Sequence, residues 1–214
     1  QLAVEMAKET GHRLHVLHLT SGIEADYLAE LTADEKMQIT TETLPQHLTF
    51  DQDDVEEKGV RLKMNPPIRY SQDRETLWKR IHDGTITCIA TDHAPHLLED
   101  KAKGWPAAPS GMPGVETSLP VMLTHARDGK CTIEQVAAWM STNVAQAYQM
   151  VGKGKLEVGM DGDVVVGPQG LHDALSRGTV HRGLGEVQVC VELLCAQQLP
   201  VLEPEAGSRG MLSP

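Results

Sequence analysis

Aromatic residues are scarce in this sequence: one Phe, three Tyr and three Trp make up 3% of 214 residues. Its core must therefore be built mainly from Leu, Val, Ile, Ala and Met. Basic residues are also outnumbered, 19 Lys and Arg against 30 Asp and Glu, for a net charge of −11. So acidic a chain lacks the electrostatic footprint of a nucleic-acid surface. It has no run of about eighteen apolar residues, which excludes a membrane-spanning helix of the usual kind. Cys88, Cys131, Cys190 and Cys195 form no C-x-x-C pair and are too few for a disulfide scaffold. Reduced thiols in a cytoplasmic protein are the expectation. Residues 1–9 lack the basic-then-apolar profile of a leader, and the first residue is Gln. The expectation is a chain that starts mid-fold, with a segment upstream of it.

What the sequence does have is ordinary globular patterning, with 40% hydrophobic residues. Residues 1–10 read as an amphipathic helix stopped by Gly11. Residues 13–19 (RLHVLHL) alternate and predict a strand. S-G-I-E at 21–24 spells a capping box that opens a helix to about Leu31. The β-branched run 37–43 predicts a second strand. Residues 51–58 read as a polar helical turn and 60–64 as a short extended run, ended by Asn65-Pro66-Pro67. An amphipathic helix over 72–83 leads into a third strand at 85–91. A long loop over residues 92–114 follows, and loops of that length usually carry function. Helices are expected at 115–128 and 133–149, the second opened by a capping box at Thr132 and Gln135. Two short strands are expected within 155–166.

Strand alternating with helix predicts parallel βαβ units. About three such units are too few for an eight-stranded barrel, which typically takes about 250 residues. The chain reads as the C-terminal part of an α/β barrel, with a small open α/β sheet as the rival. Residues 167–214 stand apart, with no Lys and no aromatic residue, and the run at 187–196 fits either a strand or a helix.

The densest chemical cluster is Thr91-Asp92-His93-Ala94-Pro95-His96, directly after the third strand. The C-terminal tips of parallel strands are where barrel enzymes place their chemistry. An Asp there can ligate a metal and shuttle a proton, or simply cap a turn. His18 ends the first strand in the same manner, and two ligand-type tips on one face favour a metal site. His15, three residues earlier, falls on the opposite face of a regular strand and reads as packing. Glu42 ends the second strand, as a further tip carboxylate or a turn residue. Asn65, held by two prolines, suits hydrogen bonding to a polar ligand. The Gly- and Pro-rich run at 108–114 can bring backbone close to a ligand. It lacks the G-K-[ST] ending of a phosphate loop.

At these residues the sequence resembles the dihydroorotases of the amidohydrolase superfamily. The resemblance runs from about residue 12 to 166. It is carried by HVLHLTS around His18, ETLPQHL at 42–48, KMNPPIR at 63–69, ATDHAPH at 90–96, APSGMPGVETSLP at 108–120 and KGKLEVGMDGDVVV at 153–166. It implies a metal-dependent (β/α)8 barrel over residues 1–150, in part, and the start of a small β-domain at 151–166. Residues 167–214 are then an atypical tail, read as shifted in frame or as the product of a truncated gene.

The resemblance implies Zn2+, with His18 as a metal ligand and Asp92 as ligand and catalytic acid/base. Asn65 and His96 would bind substrate, and Ser110 and Gly111 would offer backbone contacts. Glu42 matches a carboxylate that holds an additional metal in some relatives. The implied reaction interconverts L-dihydroorotate and N-carbamoyl-L-aspartate. The family's H-x-H-x-R strand, bridging Lys or Asp and further His lie outside the matched segment, and Val144 stands where Pro is frequent. Those departures lead us to expect little zinc and no turnover from the isolated chain. An inactive scaffold for aspartate transcarbamoylase and a hydantoin or allantoin hydrolase are the alternatives, and the expected partners are a small-molecule substrate together with a second copy of the chain (a homo-oligomer) or aspartate transcarbamoylase.

Overall fold

The computed structural model describes residues 1–165. Three strands form one parallel sheet: β1 (Leu14–Val16), β2 (Ile39–Thr43) and β3 (Cys88–Ile89), in the order β1-β2-β3. His15 pairs with Thr40 and Glu42 with Cys88, which fixes the register across the sheet. Each crossover carries helix, as parallel pairing requires. α1 (Leu2–Thr10) precedes β1, turns Val4 and Ala7 inward, and stops at Gly11, whose φ of 68° is left-handed. Between β1 and β2 lie α2 (Gly22–Ala29) and α3 (Ala33–Gln38). Between β2 and β3 lie α4 (Pro45–Thr49), α5 (Gln52–Lys58), a 3-10 turn at Gly59–Leu62 and α6 (Ser71–His82). After β3 come α7 (Leu98–Lys101), α8 (Ser118–Arg127), α9 (Ile133–Ala137), a π turn (Ala138–Thr142) and α10 (Asn143–Ala147).

The two faces of the sheet differ in chemistry. Leu14, Val16, Ile39 and Ile89 turn toward the helices and join Leu28, Leu77, Ile81, Ile86, Met122, Val136 and Trp139 in the main core. Alternation then places His15, Thr40, Glu42 and Cys88 on the other face. Thr41 and Thr43 are buried, and their hydroxyls donate to the Thr85 and Leu19 carbonyls at 3.0 and 2.8 Å. A smaller core of Leu44, Leu62, Met64 and Ile68 supports the loops after β2. Two of the three tryptophans meet in this core: Trp78 and Trp139 pack edge-on at 6.4 Å, with His82 and His125 against them. The Trp78 indole N–H donates to the Leu48 carbonyl at 2.9 Å.

Several expectations are corrected. The capping box at Ser21 does not form. Asp73 of α6 instead accepts from the Gly22 N–H at 2.7 Å, so α2 is capped by the helix packed beside it. Residues 37 and 38 end α3 rather than opening β2, because Thr32 and Glu35 form a capping box upstream. β3 is only two residues long, and β1 stops at Val16. The 60–64 run holds a 3-10 turn, and α7 interrupts the long loop. The helix expected over 133–149 is continuous in path but changes to a π turn at its middle. No strand forms at 155–165, where turns are held by Lys153 paired with Asp161 and Asp163. The tail 167–214, with Cys190, Cys195 and the run at 187–196, lies outside the described residues.

Candidate active site

His18 and Asp92 both lie just beyond the C-terminal ends of strands, His18 after β1 and Asp92 after β3. Both hold left-handed backbone, with φ of 34° and 44°. Non-glycine residues rarely adopt that region, and such strain concentrates where a side chain must be aimed. Parallel neighbours sit about 4.8 Å apart, so two tips separated by one strand are about 10 Å apart at the backbone. Two side chains turned inward can meet around one ion across that gap. An imidazole and a carboxylate suit a divalent metal in type. They are two donors where three are usual, and no group of three donors containing either residue is found among the described residues.

The Asn65 loop is pinned to the same rim. Thr20 donates its hydroxyl to the Pro67 carbonyl at 3.0 Å, and His47 donates Nε2–H to the Pro66 carbonyl at 3.2 Å. Asn65 itself is exposed. His47 is 3% exposed, and its Nδ1 has no partner. Its carbonyl partner can only accept, so Nε2 carries the proton and the ring is neutral. Burial holds its pKa down, to about 4 from 6.5, and the neighbouring charges of His18 and Arg69 act in the same direction.

That depression sets a pH dependence. Between about pH 6.5 and pH 4 the unfolded chain takes up a proton at this ring and the folded chain does not. Stability therefore falls as the pH drops through that window, by about 3 kcal/mol in total at its acid end. Denaturant titrations at pH 7 and pH 4 are expected to show this loss for the wild-type chain. In His47→Gln, which keeps a donor near Pro66 but cannot titrate, the loss shrinks by that amount.

The long loop closes on itself and on the Asn65 segment. His93 Nδ1 accepts from the Gly114 and Val115 N–H groups at 3.0 and 3.2 Å, so His93 is a structural acceptor here. His96 is exposed and donates Nε2–H to the Ser110 carbonyl at 2.9 Å. Gly111 sits at φ 134°, and a Cβ there would fall 2.6 Å from both the Cβ and the carbonyl oxygen of Ala94. At Gly114 a Cβ would fall 2.5 Å from the Thr91 carbonyl oxygen, so only glycine lets the loop lie against this strand tip.

The Gly111 N–H is taken by the Lys63 carbonyl at 3.0 Å. Gly111 thus offers a ligand its carbonyl and its lack of a side chain. Lys63 Nζ donates to the Pro106 and Ala108 carbonyls, and the buried Lys101 Nζ to those of Lys63 and Pro109. Burial, reinforced by the Lys63 charge, lowers the Lys101 pKa. These clamps bring Asn65, His96, Ser110 and Gly111 to the rim that His18 and Asp92 occupy.

One expectation fails at this point. His15 is not inert packing: its Nε2 lies 2.9 Å from the Glu42 carboxylate and its Nδ1 2.7 Å from the Thr40 hydroxyl. Glu42 is buried on the sheet face rather than free at a tip, and its second oxygen accepts weakly from the His18 N–H at 3.4 Å. Cys88 Sγ completes a group whose His, Glu and Cys donors all lie within 4.8 Å of one another. Burial pushes the Cys88 thiol up to about 12, with the Glu42 charge adding to it. The available signal was the strand itself: Leu14 and Val16 flank His15, so His15 faces away from their apolar side, and the register of β1 on β2 then brings it to Glu42.

A profile of the amidohydrolase family matches residues 4–179. The chain belongs to the amidohydrolase family. Among its curated amidohydrolase relatives, the dihydroorotase of Pediococcus pentosaceus is 37% identical over 164 residues, covering 76% of this chain and 38% of the relative. That of Methanosarcina mazei is 40% identical over 175 residues, 78% of this chain and 38% of the relative. An allantoinase of Streptomyces avermitilis is 36% identical over 160 residues, 75% and 36% of the two chains. The L-hydantoinase of Arthrobacter aurescens superposes with a TM-score of 0.69 at 34% identity, over 75% of this chain and 37% of that one.

The amidohydrolase chain thus spans about 38% of the length of the curated relatives it matches. Its three parallel strands and their helices are part of a barrel-type amidohydrolase fold, and the open-sheet alternative falls away. The family match also runs past Val166, where the resemblance was expected to stop. Among the described residues no helix is long and apolar enough to cross a membrane.

Proposed function

We propose that the chain carries part of the catalytic centre of a dihydroorotase, which interconverts L-dihydroorotate and N-carbamoyl-L-aspartate. The observation that supports this best is the gathering of the T-D-H-A-P-H tip, the Asn65 loop and the Ser110–Gly111 loop on one rim. His18 and Asp92 would hold the metal, with Zn2+ the expected ion. When bound, it polarises the ring carbonyl and lowers the pKa of water toward about 7.

The chain's own residues do the rest. Asp92 takes the proton of the attacking water and returns it to the departing ring nitrogen, a general base that becomes a general acid. Asn65 and His96 hydrogen-bond the substrate carboxylate and ring. The clamped Gly111 segment positions the ring and excludes water from one side. The similarity to an allantoinase and to an L-hydantoinase favours one second reading, hydrolysis of a different cyclic amide by the same residues.

The test is an assay in both directions with dihydroorotate, hydantoin and allantoin. It uses the 214-residue chain alone and mixed with the N-terminal part of the Pediococcus pentosaceus dihydroorotase. Turnover of dihydroorotate by the mixture and none by the chain alone is the expected result. Turnover of hydantoin or allantoin only would establish the second reading.

A further inference from the structure

The inner face of the sheet carries a cluster that the strand-tip chemistry does not use. His15 from β1, Glu42 from β2 and Cys88 from β3 project from three adjacent strands, and their donor atoms lie within 4.8 Å of one another. We infer that this trio is a second metal site, taking a divalent transition ion of the zinc type through His15 Nε2, the Glu42 carboxylate and Cys88 Sγ. The inference does not depend on which cyclic amide the rim processes.

The donor set decides the class of ion. One imidazole, one carboxylate and one thiolate match the borderline-soft ions Zn2+ and Co2+, whereas Mg2+ and Ca2+ prefer oxygen throughout. The donors are carried by strands rather than loops, which holds their spacing. His15 is already oriented as ligand histidines are, with Nδ1 2.7 Å from the Thr40 hydroxyl, leaving Nε2 for the ion. Glu42 is anchored from its own backbone, its carbonyl accepting from the Leu19 N–H at 2.7 Å. Cys88 is buried and free of any disulfide. Tyr148 packs its ring 5.1 Å from that of His15 and closes one side of the cluster.

Binding balances as an exchange. The Cys88 thiol releases its proton to solvent and its sulfur becomes a ligand. The His15 proton that now faces Glu42 moves to Nδ1, and the Thr40 hydroxyl changes from donor to acceptor. The ion replaces the 2.9 Å contact between His15 and Glu42. Three protein donors leave a fourth position for water. Because Glu42 also accepts from the His18 N–H, occupancy would be felt at the β1 tip.

Titration of the full 214-residue chain with Co2+ tests this, since a thiolate ligand gives a sulfur-to-cobalt charge-transfer band that a His and Asp site lacks. The variant Cys131→Ser/Cys190→Ser/Cys195→Ser is expected to keep the band at one ion per chain, and Zn2+ to displace it. Adding Cys88→Ser should abolish the band while the far-ultraviolet circular dichroism is retained. His15→Gln and Glu42→Gln should each weaken Co2+ binding at least about tenfold, and they carry the test if the Cys88 variant does not fold. His18→Ala and Asp92→Asn should leave the band in place. Absence of the band in the three-serine variant would overturn the inference, as would its survival in Cys88→Ser or its loss in the His18 or Asp92 variants.

Discussion

Asp92→Asn is expected to lower dihydroorotate turnover by about 10²- to 10⁴-fold, the usual contribution of a positioned acid/base. It should do so without unfolding the site, and the backbone explains why. Asp92 sits at φ 44°, a conformation that Asn tolerates better than nearly any other non-glycine residue. The amide has the shape of the carboxylate, so the substitution removes charge and basicity and little else. Ala at the same position would add backbone strain and confuse the two effects. Steady-state rates in the mixed assay described above, with thermal midpoints alongside, are the measurement. A variant within about threefold of wild type would remove Asp92 from the proton transfers.

Leu77→Ala should cost about 2–5 kcal/mol of stability, the range for a buried leucine whose cavity only partly collapses. Leu77 lies on α6 and is 1% exposed, within the main core that also contains Leu28 of α2 and Ile39 and Ile89 of the sheet. Alanine is at least as good a helix former, so the loss reports packing and not helix propensity. Leu98→Ala, at a position 76% exposed on α7, is the control and should change stability by under about 0.5 kcal/mol. Urea midpoints with unchanged slopes would verify both. An effect at Leu77 below about 1 kcal/mol would mean that α6 is not seated as described.

The sequence makes the rim legible because strand tips announce themselves. Short apolar runs followed by polar, Pro- or Gly-containing turns placed His18 and Asp92 at the ends of the first and third strands, and in the structure they lie just past β1 and β3. Parity reasoning failed for His15 for an instructive reason. It assumed that His18 still belonged to the strand, but β1 stops at Val16 and His18 has turned into left-handed backbone. Once a residue leaves the pleat, its face no longer follows from counting. Parity did hold within the strand, where it sets His15 opposite Leu14 and Val16.

Contacts between distant segments were out of reach. That Asp73 caps α2, that Lys63 and Lys101 hold carbonyls of the long loop, and that Cys88 meets Glu42 all depend on register and tertiary approach. The absent strands at 155–165 show the opposite error. Two short strands around a turn were expected there, but Gly159 at positive φ, Gly162 close behind it, and Lys153 bridging two aspartates favour turns throughout.

A sheet that runs β1-β2-β3 with every strand pointing the same way has a lasting consequence for how such an enzyme changes. Support and chemistry reside at different ends of each repeating unit, so a loop can be rewritten at the tip while the packing beneath it stays intact. New substrates are reached by exchanging turns, and the chassis is inherited.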